Sequence, residues 1–130
     1  MINPIIPSGG YDAFVPHLHL QTTADLPENA EIPEILAELV EVLAAQPSFE
    51  SPSIKAYHSL RANWVVGAGH PPGFAHLTVA ILEGRPGEVR QAIGQVLMEC
   101  LRRHFAGSLD AGEVAITLEV REMNRETYLR

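Results

Sequence analysis

Residues 32–43, IPEILAELVEVL, set Ile32, Ile35, Leu36, Leu39, Val40 and Leu43 at helical spacing. Such a stripe is the buried face of an amphipathic helix. Fifty-seven positions on, residues 89–100, VRQAIGQVLMEC, repeat it without a gap: Ile32 maps to Val89, Leu36 to Ile93, Leu39 to Val96, Val40 to Leu97 and Leu43 to Cys100. The offset also carries Leu20 to Leu77. An internal repeat of this kind decides the fold, because each copy must be one supersecondary unit.

Working outward, His17, Leu18, His19 and Leu20 alternate polar and apolar, which predicts a strand over 16–23. Asn29 is the expected N-cap of the first helix, with Pro33 in its first turn and its end near Gln46-Pro47. A second strand is expected over Ser53 to Leu60, and a loop or bent hairpin arm over Trp64 to Gly73. Phe74 to Leu82 reads as a strand and Gly84-Arg85-Pro86-Gly87 as a turn. A helix follows over 86–105, with Val89, Ile93, Val96, Leu97, Cys100 and Leu101 on its buried face. Val114, Ile116, Leu118 and Val120 share one face of a last strand, expected over 113–121. The strands at 53–60 and 113–120 are expected to superimpose within the repeat.

The order is β-α-β-β-α-β. Two parallel β-α-β units predict an α+β domain, a four-stranded mixed sheet with both helices on one face. The other face is expected to lie open, to carry Leu or Val side chains, and so to be covered by oligomerisation. The domain is expected over 16–130. Residues 1–15 read as an irregular extension broken by Pro4, Pro7, Gly9 and Gly10, with only Ile5, Ile6, Tyr11 and Phe14 to anchor it.

Composition narrows the function. The 130 residues fit one domain. Sixteen acids against nine bases give a net charge of −7, which speaks against nonspecific nucleic-acid binding. Eight of the nine bases are Arg and one is Lys55; a GC-rich genome explains that bias better than function does. The single cysteine, Cys100, speaks against a disulfide framework and a thiolate zinc site, and fits a reducing cytosol. No segment has the length of a membrane span, and the first fifteen residues lack the pattern of a signal or transit peptide.

Several residues in order carry a resemblance. They are Pro16-His17, Ala30-Glu31-Ile32-Pro33 with Leu36, Ser53-Ile54-Lys55, Trp64, Phe74-Ala75-His76-Leu77-Thr78-Val79, Gly84-Arg85, Arg90-Gln91 and His104-Phe105-Ala106. With them the chain resembles the 5-carboxymethyl-2-hydroxymuconate isomerase family of the tautomerase superfamily. The resemblance implies a homotrimer in the cytoplasm, acting in aromatic compound catabolism on an unsaturated keto or enol carboxylic acid. It implies no metal and no organic cofactor. It makes Pro16 the general base, through a free amino-terminal nitrogen whose pKa falls toward neutrality in a desolvated, cationic pocket. It makes Arg85 a substrate-carboxylate contact and places Lys55 where the family has a second arginine. Lys55 keeps the charge but loses the bidentate fork; Arg61 is a candidate to supply the missing cation.

One departure limits this. Acylated by Val15, the Pro16 nitrogen is an amide with no usable lone pair. Three explanations are open: a start misassigned upstream of Val15, cleavage of the extension, or lost proline chemistry. The first is favoured, since GTG encodes valine and is also a bacterial start codon. Competing readings are an inactive trimeric relative whose extension blocks the proline, and a dehalogenase or hydratase on the same fold.

For Arg85, a solvated turn arginine is an equal alternative. For Pro16, the bland alternative is a plain strand start. Trp64, Phe74 and Tyr57 are candidates for an apolar pocket wall or for ordinary packing. His17 is expected to be structural. His19, His58, His70, His76 and His104 lack a metal-binding context, although His17 and His19 share a strand face; Arg102-Arg103 reads as the cationic end of a helix.

Overall fold

The computed structural model describes residues 16–47, 49 and 53–130; the expected extension over 1–15 lies outside them. The elements run β1 His17–Thr23, a 3-10 turn Pro27–Glu31, α1 Ile32–Ala44, β2 Lys55–Arg61, β3 Gly73–Leu82, α2 Gly87–His104, α3 Ala106–Asp110 and β4 Val114–Met123. The sheet order is β2-β1-β3-β4. β1 is parallel to β2, β3 is parallel to β4, and the two units meet antiparallel along β1 and β3. This is the expected α+β architecture.

Leu20 faces Leu77 across the central ladder. These two residues are equivalent in the repeat, so its pseudo-twofold axis passes between them. Leu18, Leu20, Leu77, Val79 and Ile81 are buried on the helix side, against Ile35, Leu39 and Leu43 of α1 and Ile93, Leu97 and Leu101 of α2. Each such side chain stabilises the fold by about 1.5–3 kcal/mol.

The repeat is less regular than the sequence suggests. His17 faces Lys55 in the first half, while Phe74 faces Ala115 in the second. The second crossover is therefore three residues longer, and α3 takes up the excess. Its Ser108 is tied back by Glu28, whose carboxylate accepts from the Ser108 hydroxyl at 2.7 Å and its N–H at 3.2 Å.

Three expectations are corrected. Asn29 does not cap α1. It lies inside the 3-10 turn that Pro27 opens, donates to the Thr23 carbonyl at 2.9 Å and accepts from the Thr22 hydroxyl at 2.6 Å. Val89 is 39 % exposed, because the first turn of α2 overhangs the core. The open sheet face carries little Leu or Val: among the described strand residues, register places only Leu82 there, buried at the end of β3. Register puts His17, His19 and Gln21 of β1, Lys55, Tyr57 and Ser59 of β2, Phe74, His76, Thr78 and Ala80 of β3, and Thr117 and Glu119 of β4 on that side. Leu and Val side chains therefore give only a weak argument for cover there. β4 also runs two residues further than expected, and the polar tail folds back from it, its Arg125 N–H donating to Glu83 at 3.0 Å.

Candidate active site

The register decides which candidates meet. Pro16 is buried at the head of β1, and its carbonyl accepts from the Lys55 N–H at 3.1 Å. β3 runs antiparallel to β1, with Ala80 facing His17, so the turn after Leu82 returns to the same end. Arg85 sits in that turn. Pro16, Lys55 and Arg85 thus converge on one end of the sheet although they span seventy positions of sequence.

Arg85 is not a solvated turn arginine. It is 8 % exposed, and its guanidinium carbon lies 4.1 Å from the centre of the Phe49 ring, a cation–π contact. Its carbonyl accepts from Arg90 Nε at 3.2 Å, which holds the turn to α2. Lys55 is exposed on the open face beside His17. Burial pushes the His17 pKa down, and the Lys55 charge adds to the fall. His17 Nε2 lies 2.8 Å from the hydroxyl of Tyr128, brought there by the tail.

Trp64 and Arg61 are elsewhere. Arg61 ends β2 opposite Thr23, with its Nε donating to Gln21 at 2.9 Å. A seven-residue strand is about 20 Å long, so within one chain Arg61 does not supply a second cation beside Lys55. Trp64 lies beyond Arg61, its indole N–H donating to the Pro72 carbonyl at 2.8 Å. Together with Ala62, Asn63 and Val65 it lines a cleft at that far end. Phe74 is also there, its N–H bound to the Thr23 hydroxyl, whereas Tyr57 stacks on His19 at mid-sheet. The three aromatics form no common wall.

The histidines divide by face. His19 Nε2 is 2.8 Å from Ser59, and His76 Nδ1 is 2.7 Å from Thr117. Burial lowers the His19 pKa, with Arg61 and His76 contributing. On the helix side, His58 Nε2 lies 2.7 Å from the Thr22 hydroxyl. That hydroxyl already donates to Asn29, so His58 is the donor to it and is held as the Nε2–H tautomer. Burial lowers the His58 pKa as well, with His19 second.

Sequence spacing gives no hint that Glu38 joins one further cluster. Glu38 of α1 meets Cys100 and His104 of α2, sixty-two or more positions away. Burial pushes the Cys100 thiol up to about 11, the Glu38 carboxylate adding to the rise.

The family model for 5-carboxymethyl-2-hydroxymuconate isomerase matches residues 16–130. The chain belongs to that family. It is 28 % identical over 111 residues to the 5-carboxymethyl-2-hydroxymuconate Delta-isomerase of Escherichia coli, covering 85 % of this chain and 88 % of that one. A 5-carboxymethyl-2-hydroxymuconate isomerase from Deinococcus radiodurans R1 has a crystal structure that superimposes with a TM-score of 0.81 at 31 % identity, over 88 % of this chain and 87 % of that one. A fused 4-OT wild-type symmetric trimer shares the fold at 17 % identity, with a TM-score of 0.63 over 87 % and 94 %. As a member of this isomerase family, the chain has Pro16 as the first residue of the matched region. Among the described residues, no helix is long and apolar enough to cross a membrane.

Proposed function

We propose that this chain, when it begins at Pro16, is a cofactor-free isomerase. It moves a proton between the enol and keto forms of an unsaturated carboxylic acid of the 5-carboxymethyl-2-hydroxymuconate type. The observation that carries this reading is that the family match begins at Pro16, at the sheet end where Lys55 and Arg85 also lie. A free Pro16 is a secondary amine in a buried position, and burial and nearby cations lower the pKa of such an amine. It takes the enol proton, and the ammonium so formed returns a proton to carbon. Lys55 and Arg85 hold the substrate carboxylates. Trp64 and Arg61, about a strand length away in one chain, reach the Pro16 end only from another copy, which favours a homotrimer as the active assembly.

The test compares three chains: one starting at Pro16 with a free amine, the same chain with Pro16→Ala, and the full chain. Only the first should accelerate ketonisation of 2-hydroxymuconate-like or phenylenolpyruvate-like acids. No rate above buffer from the first, or an equal rate from the second, overturns the reading. Sedimentation of the full chain should give three times 14.2 kDa. A monodisperse monomer overturns the trimer.

A second reading rests on the peptide bond from Val15 to Pro16. If the native protein keeps that bond, the chain is a trimeric relative without proline chemistry. Sequencing the native amino terminus separates the two: Pro16 supports the first, Met1 or Ile2 the second.

A further inference from the structure

We propose that Glu38, Cys100 and His104 form a three-ligand site for a borderline divalent cation of the Zn2+ class, clipping α1 to α2. One donor atom from each residue lies within 4.8 Å of the other two. Cys100 and His104 are four apart on α2 and so share a face, while Glu38 enters from the helix opposite. A tetrahedral cation with bonds of about 2.0–2.3 Å holds its ligands about 3.3–3.7 Å apart. Side-chain rotation of roughly an ångström reaches that spacing.

One cysteine is too few for an all-thiolate zinc site, but the mixed donor set here is specific in kind. A thiolate, an imidazole and a carboxylate suit Zn2+ or Co2+; Mg2+ and Ca2+ prefer oxygen alone. The charges balance, since a thiolate and a carboxylate neutralise a divalent ion. The thiol proton leaves to solvent as the cation enters. A partner that orients the carboxylate is already present. Arg103 Nη2 holds Glu38 Oε2 at 2.6 Å, which leaves Oε1, now 2.7 Å from His104 Nε2, to turn to the ion. The side chains of Glu38 and His104 are 35 % and 17 % exposed, so the mouth opens to solvent and water fills the fourth position.

The site stands apart from the Pro16 end. Cys100 is thirteen residues along α2 from Gly87, about 20 Å at the helical rise. Its role is a cross-link between helices and does not depend on the proposed catalysis.

Titration of the full, chelator-treated chain with Co2+ tests this without an activity assay. Cys100 is the only cysteine, so a thiolate-to-cobalt charge-transfer band can come from nowhere else in the chain. The band should saturate at one equivalent and be displaced by Zn2+. It should vanish in Cys100→Ala, and Glu38→Gln and His104→Gln should weaken binding by at least about tenfold each. These two positions are partly exposed, so they carry the test if Cys100→Ala fails to fold. Absence of the band at equimolar Co2+, or an affinity unchanged in both Glu38→Gln and His104→Gln, overturns the proposal. In that case the cluster is an ion pair between helices and nothing more.

Discussion

The central carbon of the Arg85 guanidinium lies over the Phe49 ring, 4.1 Å from its centre. This contact joins the turn after β3 to the segment after α1, and it fixes a cation at the end of the sheet where Pro16 begins. Both residues are buried, so the ring's attraction for the charge is only weakly screened. A desolvated contact of this kind is worth about 2 kcal/mol. Phe49→Leu keeps most of the apolar volume and removes the π face. It should destabilise the chain by about 1–2 kcal/mol in chemical denaturation. In the chain starting at Pro16, the proposed active form, it should raise KM more than it lowers kcat. An unchanged denaturation midpoint would sink the idea that the ring holds the arginine.

Gly73 opens β3 against the end of β1. A Cβ there would sit 2.7 Å from the Thr23 hydroxyl oxygen and 2.9 Å from Asp25 Oδ1. Thr23 cannot yield cheaply, because it is buried and its hydroxyl accepts the Phe74 N–H at 3.0 Å. Gly73→Ala should therefore cost about 1–3 kcal/mol, the range for overpacking. Gly67→Ala is the matched control, since nothing lies within 4 Å of its built Cβ. Equal midpoints for the two variants would contradict the close approach.

The repeat and its apolar stripes made the two β-α-β units, the four-stranded mixed sheet and the helix layer legible, because burial imposes periods that survive in the letters. Irregular pieces were not legible. The 3-10 turn starts at Leu26-Pro27, where Asn29 looks like a cap but bonds back to β1 instead. α3 lies just past the expected helix end at Phe105, in a stretch whose letters carry no period of their own. At the candidate site, Pro16, Lys55 and Arg85 were named from resemblance, and only strand register could show that they share an end and that Trp64 does not. Cys100 and His104 share a helix face by their spacing, but Glu38 carries no spacing signal toward them, since their meeting depends on how α1 packs on α2.

Thr22, fully buried, accepts from His58 and donates to Asn29. Thr22→Val strands both partners and should cost about 1–3 kcal/mol. The same network makes stability pH-dependent. The His58 pKa is lowered from 6.5 by burial first and His19 second. As pH falls through 6.5, the unfolded chain takes up a proton that the folded chain still refuses. The unfolded state then binds more protons, so stability rises with pH across that window and falls on acidification. His17 and His19, lowered in the same direction, add to the slope. Denaturant midpoints should drop between pH 7.5 and 5.5, and His58→Gln, which can still donate to Thr22, should flatten the profile. A slope unaltered by that substitution would remove His58 from the account. Glu38, lowered chiefly by its bonds to Arg103 and His104, acts in a separate window below its ordinary 4.5.

Lys55 offers the most direct electrical probe of the Pro16 end. It faces His17 across the β1–β2 ladder, and its charge is the second cause, after burial, of the lowered His17 pKa. Lys55→Met removes the repulsion and leaves the burial. The His17 pKa should therefore rise, yet stay below 6.5, when followed by NMR titration of the ring protons. Lys55→Arg keeps the charge and should leave His17 suppressed. It also restores the planar fork that suits a carboxylate. In the chain starting at Pro16, it should lower KM for a dicarboxylic substrate severalfold, by roughly the 1 kcal/mol that a second charge-assisted hydrogen bond adds. Should Lys55→Met leave the His17 titration where it was, the lysine charge is not felt at this end of the sheet. Its part in holding a substrate carboxylate beside Pro16 would then fall with it.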